Sequence, residues 1–249
     1  MHFSFIDDVF KQNLKRFRKA DIKLIGIDCG IDLSVLVDIV WIPSFFIKSE
    51  IKSHLPLNVI YGWDSYFNYK NRTQEKWKHG KNVLVLTGGS DVTKQGQVLP
   101  LLFEEKINHP IIINWVQGPY SDAPLIPNNS KHLWRIHKAP SGISHLIEET
   151  NYAVSLYGVS LFELLSHGIP TAVFSSYMGR DDNELNELSS QNICLVSKDA
   201  SDAVLKLAEI MMTPKRAIEL SEKSSSILRN SGLENIVKMI SSMKNSKNE

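Results

Sequence analysis

A strand-like run that ends in two glycines is the feature that most constrains the fold of this chain. It spans Val83 to Asp91 and reads VLVLTGGSD. A continuous apolar, β-branched run is typical of a strand buried on both faces of a parallel sheet. Glycine lets backbone N–H groups approach an anion, and a helix that follows adds its positive amino end. The run predicts a phosphate-binding loop, although a simple turn is the commoner explanation of an isolated Gly-Gly pair.

A second loop of the same kind begins at Gly158, directly after the strand predicted at Tyr152 to Tyr157. A helix is predicted next, with Gly168 where a C-terminal cap belongs. Ser160 is a candidate N-cap, and Glu163 stands three residues later. That pair allows two interpretations. In one, Ser160 and Glu163 form a capping box; in the other, Glu163 faces a cleft and accepts hydrogen bonds from ribose hydroxyls.

These spacings resemble a known family. The runs VLVLTGGSD, IIINWVQGPYSD and SGISHLIEETNYAVSLYGVSLFELLSHGIPTAVF resemble the C-terminal half of the UDP-sugar hydrolase of pseudaminic acid biosynthesis and its spore-coat polysaccharide relatives. They are more remotely similar to the nucleotide-binding half of the peptidoglycan N-acetylglucosaminyltransferase, a GT-B enzyme. The similarity covers roughly Ile22 to Ser197, and its most specific part is Gly142 to Pro170.

The resemblance implies a set of binding residues. The loops that would hold the diphosphate, together with the glutamate that would bind the ribose, are Gly88, Gly89, Ser90, Gly158, Ser160 and Glu163. The backbone of Ile136 stands where the family recognises the base, so it is expected to bind uracil. Asn183 matches a loop residue that contacts the sugar or the β-phosphate, and an ordinary helix cap is an equal alternative for it.

One departure from the family concerns catalysis. Its hydrolases begin with a Gly-x-Gly-His-x-x-Arg loop whose histidine activates water, and this sequence contains no such motif. The N-terminal part also resembles only the later strands of the family's first domain. The resemblance therefore implies a shortened N-terminal part, and the sequence identifies no catalytic residue.

The expected fold class is α/β, GT-B-like, with a Rossmann-type parallel sheet in the C-terminal domain. The predicted domains are 1–75, a shortened α/β part with a helix from Phe3 and three strands, and 76–249, the nucleotide-sugar-binding domain with C-terminal helices. The six strands of the second domain are predicted near Val83–Leu86, Ile111–Trp115, Trp134–His137, Ala153–Leu156, Ala172–Ser175 and Ile193–Val196.

Charge and composition restrict the partners. The formal net charge is +1, which gives no electrostatic basis for binding nucleic acid. Basic residues do cluster in the first helix, where a solvated face is favoured over membrane contact. They are Lys11, Lys15, Arg16, Arg18 and Lys19. The two cysteines, Cys29 and Cys194, fit reduced thiols, and no secretory signal is evident, so the expected location is the cytoplasm.

No metal or other cofactor is expected. His132 and His137 lie five residues apart across a predicted strand and would face opposite sides. Asp181 and Asp182 precede a predicted helix, where acidic residues offset the helix dipole. The substrate is instead expected to be a nucleotide sugar, most simply one linked to UDP.

Three functions stay open at this point. The first is a glycosyltransferase of surface polysaccharide or glycan synthesis that transfers sugar to a glycan or small-molecule acceptor. The second is a non-catalytic nucleotide-binding subunit of a split glycosyltransferase, and the third a degenerate relative of the hydrolase. Self-association or pairing with a second chain is also predicted, through an apolar N-terminal stretch that could equally pack inside its own domain. Its residues are Ile39, Trp41, Ile42, Phe45 and Phe46.

Overall fold

The chain folds into two compact units. A computed structural model describes residues 7–67, 76–177, 179–228 and 232–245. The first unit is Met1–Tyr69 together with Asn230–Glu249, and the second is Lys70–Arg229. Within the described ranges, no helix combines the length and the apolarity that crossing a membrane requires.

The first unit is built on a three-stranded parallel sheet with the strand order β1-β2-β3. Its elements in chain order are helix α1 (Asp8–Lys19), β1 (Ile25–Ile27), β2 (Ile39–Trp41), helix α2 (Ser49–Lys52) and β3 (Val59–Ile60). Asp7 caps α1 by accepting a hydrogen bond from the Phe10 N–H. The part of the predicted helix that precedes Asp7 lies outside the described residues. Leu14 of α1 packs with Val40 of β2 and Val59 of β3 in the core of this unit.

The apolar stretch that was predicted to mediate association lies mostly inside this unit. Ile39 is 5% exposed, and Trp41 and Ile42 are each 1% exposed. Trp41 also donates an indole hydrogen bond to the carbonyl oxygen of Ser65 at 2.8 Å, while Phe45 and Phe46 are half-buried. For Ile39, Trp41 and Ile42 the expectation of an association surface is therefore corrected, because they are buried in or directly after the central strand β2. Association of the chain itself stays a prediction.

The second unit contains a six-stranded sheet in which every neighbouring pair is parallel. Its strands are β4 (Asn82–Leu86), β5 (Ile112–Gln117), β6 (Leu133–Lys138), β7 (Tyr152–Leu156), β8 (Thr171–Phe174) and β9 (Leu195–Val196). Their order across the sheet is β6-β5-β4-β7-β8-β9. The predicted Rossmann-type parallel sheet is confirmed.

Helices cover both faces of this sheet. They are α3 (Gln95–Lys106), α4 (Ser144–Glu148), α5 (Val159–Ser166), α6 (Asp182–Gln191), α7 (Ala200–Met211) and α8 (Pro214–Ile227). Alternate residues of a strand point to opposite faces, so Val83 and Val85 pack in the cluster that includes Leu99 of α3. Leu84 packs on the other face with Leu164 of α5.

The last helix, α9 (Gly232–Asn245), belongs to the first unit, whereas all C-terminal helices were predicted to belong to the domain 76–249. The Gly232 N–H donates to the carbonyl oxygen of Tyr66 at 2.8 Å, and Asn235 donates to that of Asp64 at 3.0 Å. A Cβ at Gly232 would lie 2.5 Å from the Ser65 oxygen. Glycine therefore permits an approach between segments that are far apart in sequence.

Candidate functional site

The two predicted phosphate loops lie at the point where the strand order of the second unit reverses. The chain runs outward from β4 through β5 to β6, and then from β7 through β8 to β9 on the other side of β4. Leu86 of β4 pairs with Ser155 of β7, so these two strands end side by side, about 5 Å apart. Such a switch point is where open parallel sheets bind ligands, in the crevice beyond the carboxyl ends of the strands.

The loop after β4 is held against the loop after β5. Gly88 has a φ of +83°, a backbone conformation that favours glycine. A Cβ at Gly118 would lie 2.3 Å from the carbonyl oxygen of Gly89, and the Tyr120 N–H donates to that same oxygen at 3.0 Å. In contrast, a Cβ built at Gly88 or Gly89 would meet no atom within 4 Å. The loop therefore has one backbone face fixed by its neighbour and another that is open.

Asp91 changes the expected role of the helix that follows this loop. Its carboxylate accepts hydrogen bonds from the backbone N–H of Gln95 at 2.8 Å and of Gly96 at 2.7 Å. Asp91 is 9% exposed, so a buried side-chain anion already occupies the amino end of α3. The expectation that this helix end holds a phosphate is corrected, and Gly88, Gly89 and Ser90 would have to bind one through their own backbone.

The loop after β7 leads into a helix that carries no side-chain cap. Gly158 is the N-cap residue of α5, and no side-chain hydrogen bond caps the helix there. A Cβ at Gly158 would also meet no atom within 4 Å. First-turn N–H groups and the helix dipole attract anions, and at α5, unlike α3, no cap side chain occupies the N–H groups. Ser160 lies inside the first turn of α5, one residue beyond Val159.

Glu163 does not belong to a capping box. That motif requires Ser160 at the N-cap, but the N-cap residue is Gly158, two residues earlier. The half-buried Glu163 instead accepts a long hydrogen bond from the Ser144 hydroxyl of α4 at 3.5 Å. The capping interpretation is wrong, and the carboxylate is directed between α4 and α5. Ser144 was not among the predicted residues, because nothing in the sequence places α4 beside α5.

Ile136 lies within the edge strand β6, opposite Trp115 of β5. The Leu133 N–H donates to the carbonyl oxygen of Ile111, directly before β5, and the Ala139 N–H donates to that of Gln117 in β5. Since parallel ladders use alternate residues, the odd-numbered residues of β6 face β5. The N–H and C=O of Ile136 therefore point away from β5, toward the edge of the sheet. Its side chain packs against the core, so the backbone is the part of Ile136 that a ligand would contact.

Asn183 is an exposed residue inside α6. The N-cap of that helix is Asp181, and Asp182 lies in its first turn. The predicted helix start at these two acids is confirmed, while the alternative that Asn183 is the cap is wrong. Arg180, in the loop between β8 and α6, stacks on Tyr177 with its guanidinium carbon 5.1 Å from the ring centroid. This loop brings a cation to the same edge of the sheet as the two glycine loops.

Two polar side chains near the carboxyl ends of β4 and β6, Thr87 and His137, are buried or half-buried. The Thr87 hydroxyl, at the base of the first glycine loop, is buried and makes no hydrogen bond within the described structure. His137 lies 3.1 Å from the side-chain oxygen of Asn114, and burial lowers the pKa of its imidazole, with the nearby His145 adding to that effect.

Among the residues that the structure describes, no group of three or more acidic, histidine or cysteine side chains could hold a metal ion.

Comparisons with known proteins establish the fold class. No protein-family model and no curated protein sequence matches the chain. Among solved structures it is similar to MurG from Acinetobacter baumannii, with a TM-score of 0.67, 12% identity, and coverage of 92% of this chain and 76% of that one. It is also similar to UGT89C1 from Arabidopsis thaliana complexed with quercetin, with a TM-score of 0.59, 14% identity, and coverage of 94% and 69%.

A third similar structure contains ligands. UGT2 from Phytolacca americana, complexed with UDP-2-fluoroglucose and pterostilbene, has a TM-score of 0.54, 12% identity, and coverage of 84% of this chain but only 54% of that one. At these identities the matches show the fold alone, which is that of the GT-B glycosyltransferases. The GT-B part of the resemblance is confirmed, and the likeness to the UDP-sugar hydrolase stays a prediction.

Proposed function

We propose that this chain is a glycosyltransferase that binds a UDP-sugar at the switch point of its second unit and transfers the sugar to an acceptor in glycan or surface polysaccharide synthesis. The observation that carries the proposal is the pairing of two open glycine loops, at Gly88–Gly89 and Gly158, beside the uncapped amino end of α5. The diphosphate would bind between these loops. Glu163 would bind the ribose hydroxyls, and the outward-facing backbone of Ile136 would bind the base.

The chemistry of this proposal is electrostatic. Transfer breaks the bond between the sugar and the diphosphate, so negative charge grows on the leaving phosphate. Backbone N–H groups around Ser90 and Ser160, with the helix dipole of α5, would stabilise that charge without a metal ion. Asn183 and the loop that carries it would contact the sugar or the β-phosphate. The deprotonating base would come from the acceptor side.

The decisive experiment is a titration of UDP into the protein and its Gly89→Ala and Gly89→Val variants. Gly89 has open space around its Cβ position and no left-handed φ, so both variants should fold with an unchanged melting temperature. Each added carbon takes space from the phosphate, and we expect affinity to fall in the order Gly, Ala, Val, with no measurable binding for Val. Equal affinity in all three proteins would contradict the phosphate-loop assignment.

A turnover assay then separates the remaining functions. Incubation with UDP-sugars and an acceptor panel should release UDP and form a glycosylated product. Binding of UDP without turnover, restored by a second protein, would favour the non-catalytic subunit of a split glycosyltransferase. Release of free sugar with water as the acceptor would favour the hydrolase relative.

A further inference from the structure

A polar groove adjoins the first glycine loop on the side away from the switch point. It lies between the start of α3 and the loop after β5, and its volume is about 160 Å³. Ser90 lines it and also belongs to the proposed phosphate loop. Sites that enclose a drug-sized ligand measure roughly 300–1,000 Å³. The groove is therefore of a size for one small ring rather than for a whole nucleotide sugar.

The lining combines hydrogen-bonding groups with one exposed aromatic ring. Lys94, Gln97 and Asp122 line the groove, and within the described residues none of their side chains forms a hydrogen bond or ion pair with another part of the chain. Tyr120 also lines it and is 83% exposed, although its backbone N–H is fixed to the Gly89 oxygen. These side chains offer donors, an acceptor and a flat apolar surface.

The charges of the groove do not favour an anion. Lys94 contributes one ammonium group and Asp122 one carboxylate, while the carboxylate of Asp91 already accepts hydrogen bonds from the N–H groups of Gln95 and Gly96. A phosphate would therefore meet no excess of positive charge. A neutral ring with several hydroxyl groups fits better, because its hydroxyls can donate to Asp122 and accept from Lys94 and Gln97. The apolar face of such a ring would pack on Tyr120.

We propose that this groove is a subsite for a sugar ring, adjacent to the nucleotide and reached past Ser90. The inference rests on the proposed function, since it deepens the substrate assignment of the same unit. The ring would belong either to the nucleotide sugar or to a glycan acceptor. Both sources share the same chemistry, and the experiment must tell them apart.

Saturation-transfer NMR provides the test. The probes are UDP, UDP-glucose, UDP-N-acetylglucosamine and the free disaccharides cellobiose and chitobiose. We expect saturation to reach the sugar-ring protons in the parent protein and to fall about fivefold to tenfold in Tyr120→Ala and in Gln97→Ala. Leu101→Ala serves as the control, because Leu101 is 60% exposed on α3 and does not line the groove.

The outcomes also assign the source of the sugar. Loss confined to the UDP-sugars places the donor sugar in the groove, and loss confined to the disaccharides places the acceptor there. In either case the affinity for UDP should stay within twofold of the parent value. The subsite is refuted if no probe shows transfer to its ring protons, or if both groove variants match the parent. Failure of UDP to bind at all would refute the proposed function instead. The two disaccharides would still show whether the groove binds a sugar ring.

Discussion

Glu163→Gln tests the ribose assignment and the helix start together. The side chain is half-buried, and the substitution keeps its shape while removing its negative charge. A carboxylate that accepts hydrogen bonds from two hydroxyls contributes on the order of 1.5–3 kcal/mol to binding. Since 1.4 kcal/mol is about tenfold in affinity, we expect UDP to bind roughly 10- to 150-fold more weakly.

The structure also predicts what this substitution leaves unchanged. Because Gly158 and not Ser160 is the N-cap of α5, Glu163 caps nothing, and its described partner is the Ser144 hydroxyl at 3.5 Å. The free energy of unfolding should therefore change by no more than about 0.5 kcal/mol. A lost capping interaction would instead cost about 1 kcal/mol.

Calorimetric titration with two ligands measures the effect. The variant should lose affinity for UDP but bind 2′,3′-dideoxy-UDP as well as the parent does, because that analogue has no ribose hydroxyls for Glu163 to bind. Equal losses for both ligands would refute the assignment of Glu163 to the ribose. A clear drop in melting temperature would refute the reasoning about the helix start.

Two further predictions concern stability. Asp91→Ala should lower the free energy of unfolding by about 2–3 kcal/mol, because the carboxylate accepts two N–H hydrogen bonds at the start of α3 and its loss uncaps the helix. Urea denaturation measures this, and a variant as stable as the parent would contradict the capping role of Asp91. Stability should also decrease from pH 7.5 to pH 5.5. Burial lowers the pKa of His132 and of His137 in the folded state, whereas a histidine of the unfolded chain has a pKa of about 6.5. As the pH falls through that value, the unfolded chain binds more protons than the folded one and is favoured. In urea unfolding at the two pH values, His132→Gln should show a smaller decrease, and a decrease equal to that of the parent would exclude His132 as a contributor.

Much of the second unit follows from local sequence patterns. The apolar run before Gly88 and the similar run before Gly158 each predict a buried strand and a loop, because burial on both faces demands apolar residues at successive positions. The alternation of such runs with amphipathic segments predicts the parallel sheet. Parallel strands all end at the same edge, so the sequence alone places both loops on one side of the sheet.

Other features depend on contacts between distant segments, which local patterns do not record. The sequence suggests that Asp91 is part of a phosphate loop. Only the two hydrogen bonds that it accepts from α3 show that its carboxylate occupies the helix end where a phosphate was expected. The pair Ser160 and Glu163 has the spacing of a capping box, yet the N-cap residue of the helix is Gly158.

The same limit applies to the first unit. The apolar residues of β2 suggested an interface, and the tertiary structure buried them because β2 became the central strand. Likewise, the position of α9 at the end of the sequence does not indicate that it forms hydrogen bonds to the carbonyl oxygens of Asp64 and Tyr66. Local periodicity determines which segments are strands, helices and loops, whereas the tertiary structure decides which polar groups satisfy one another and which are left for a ligand.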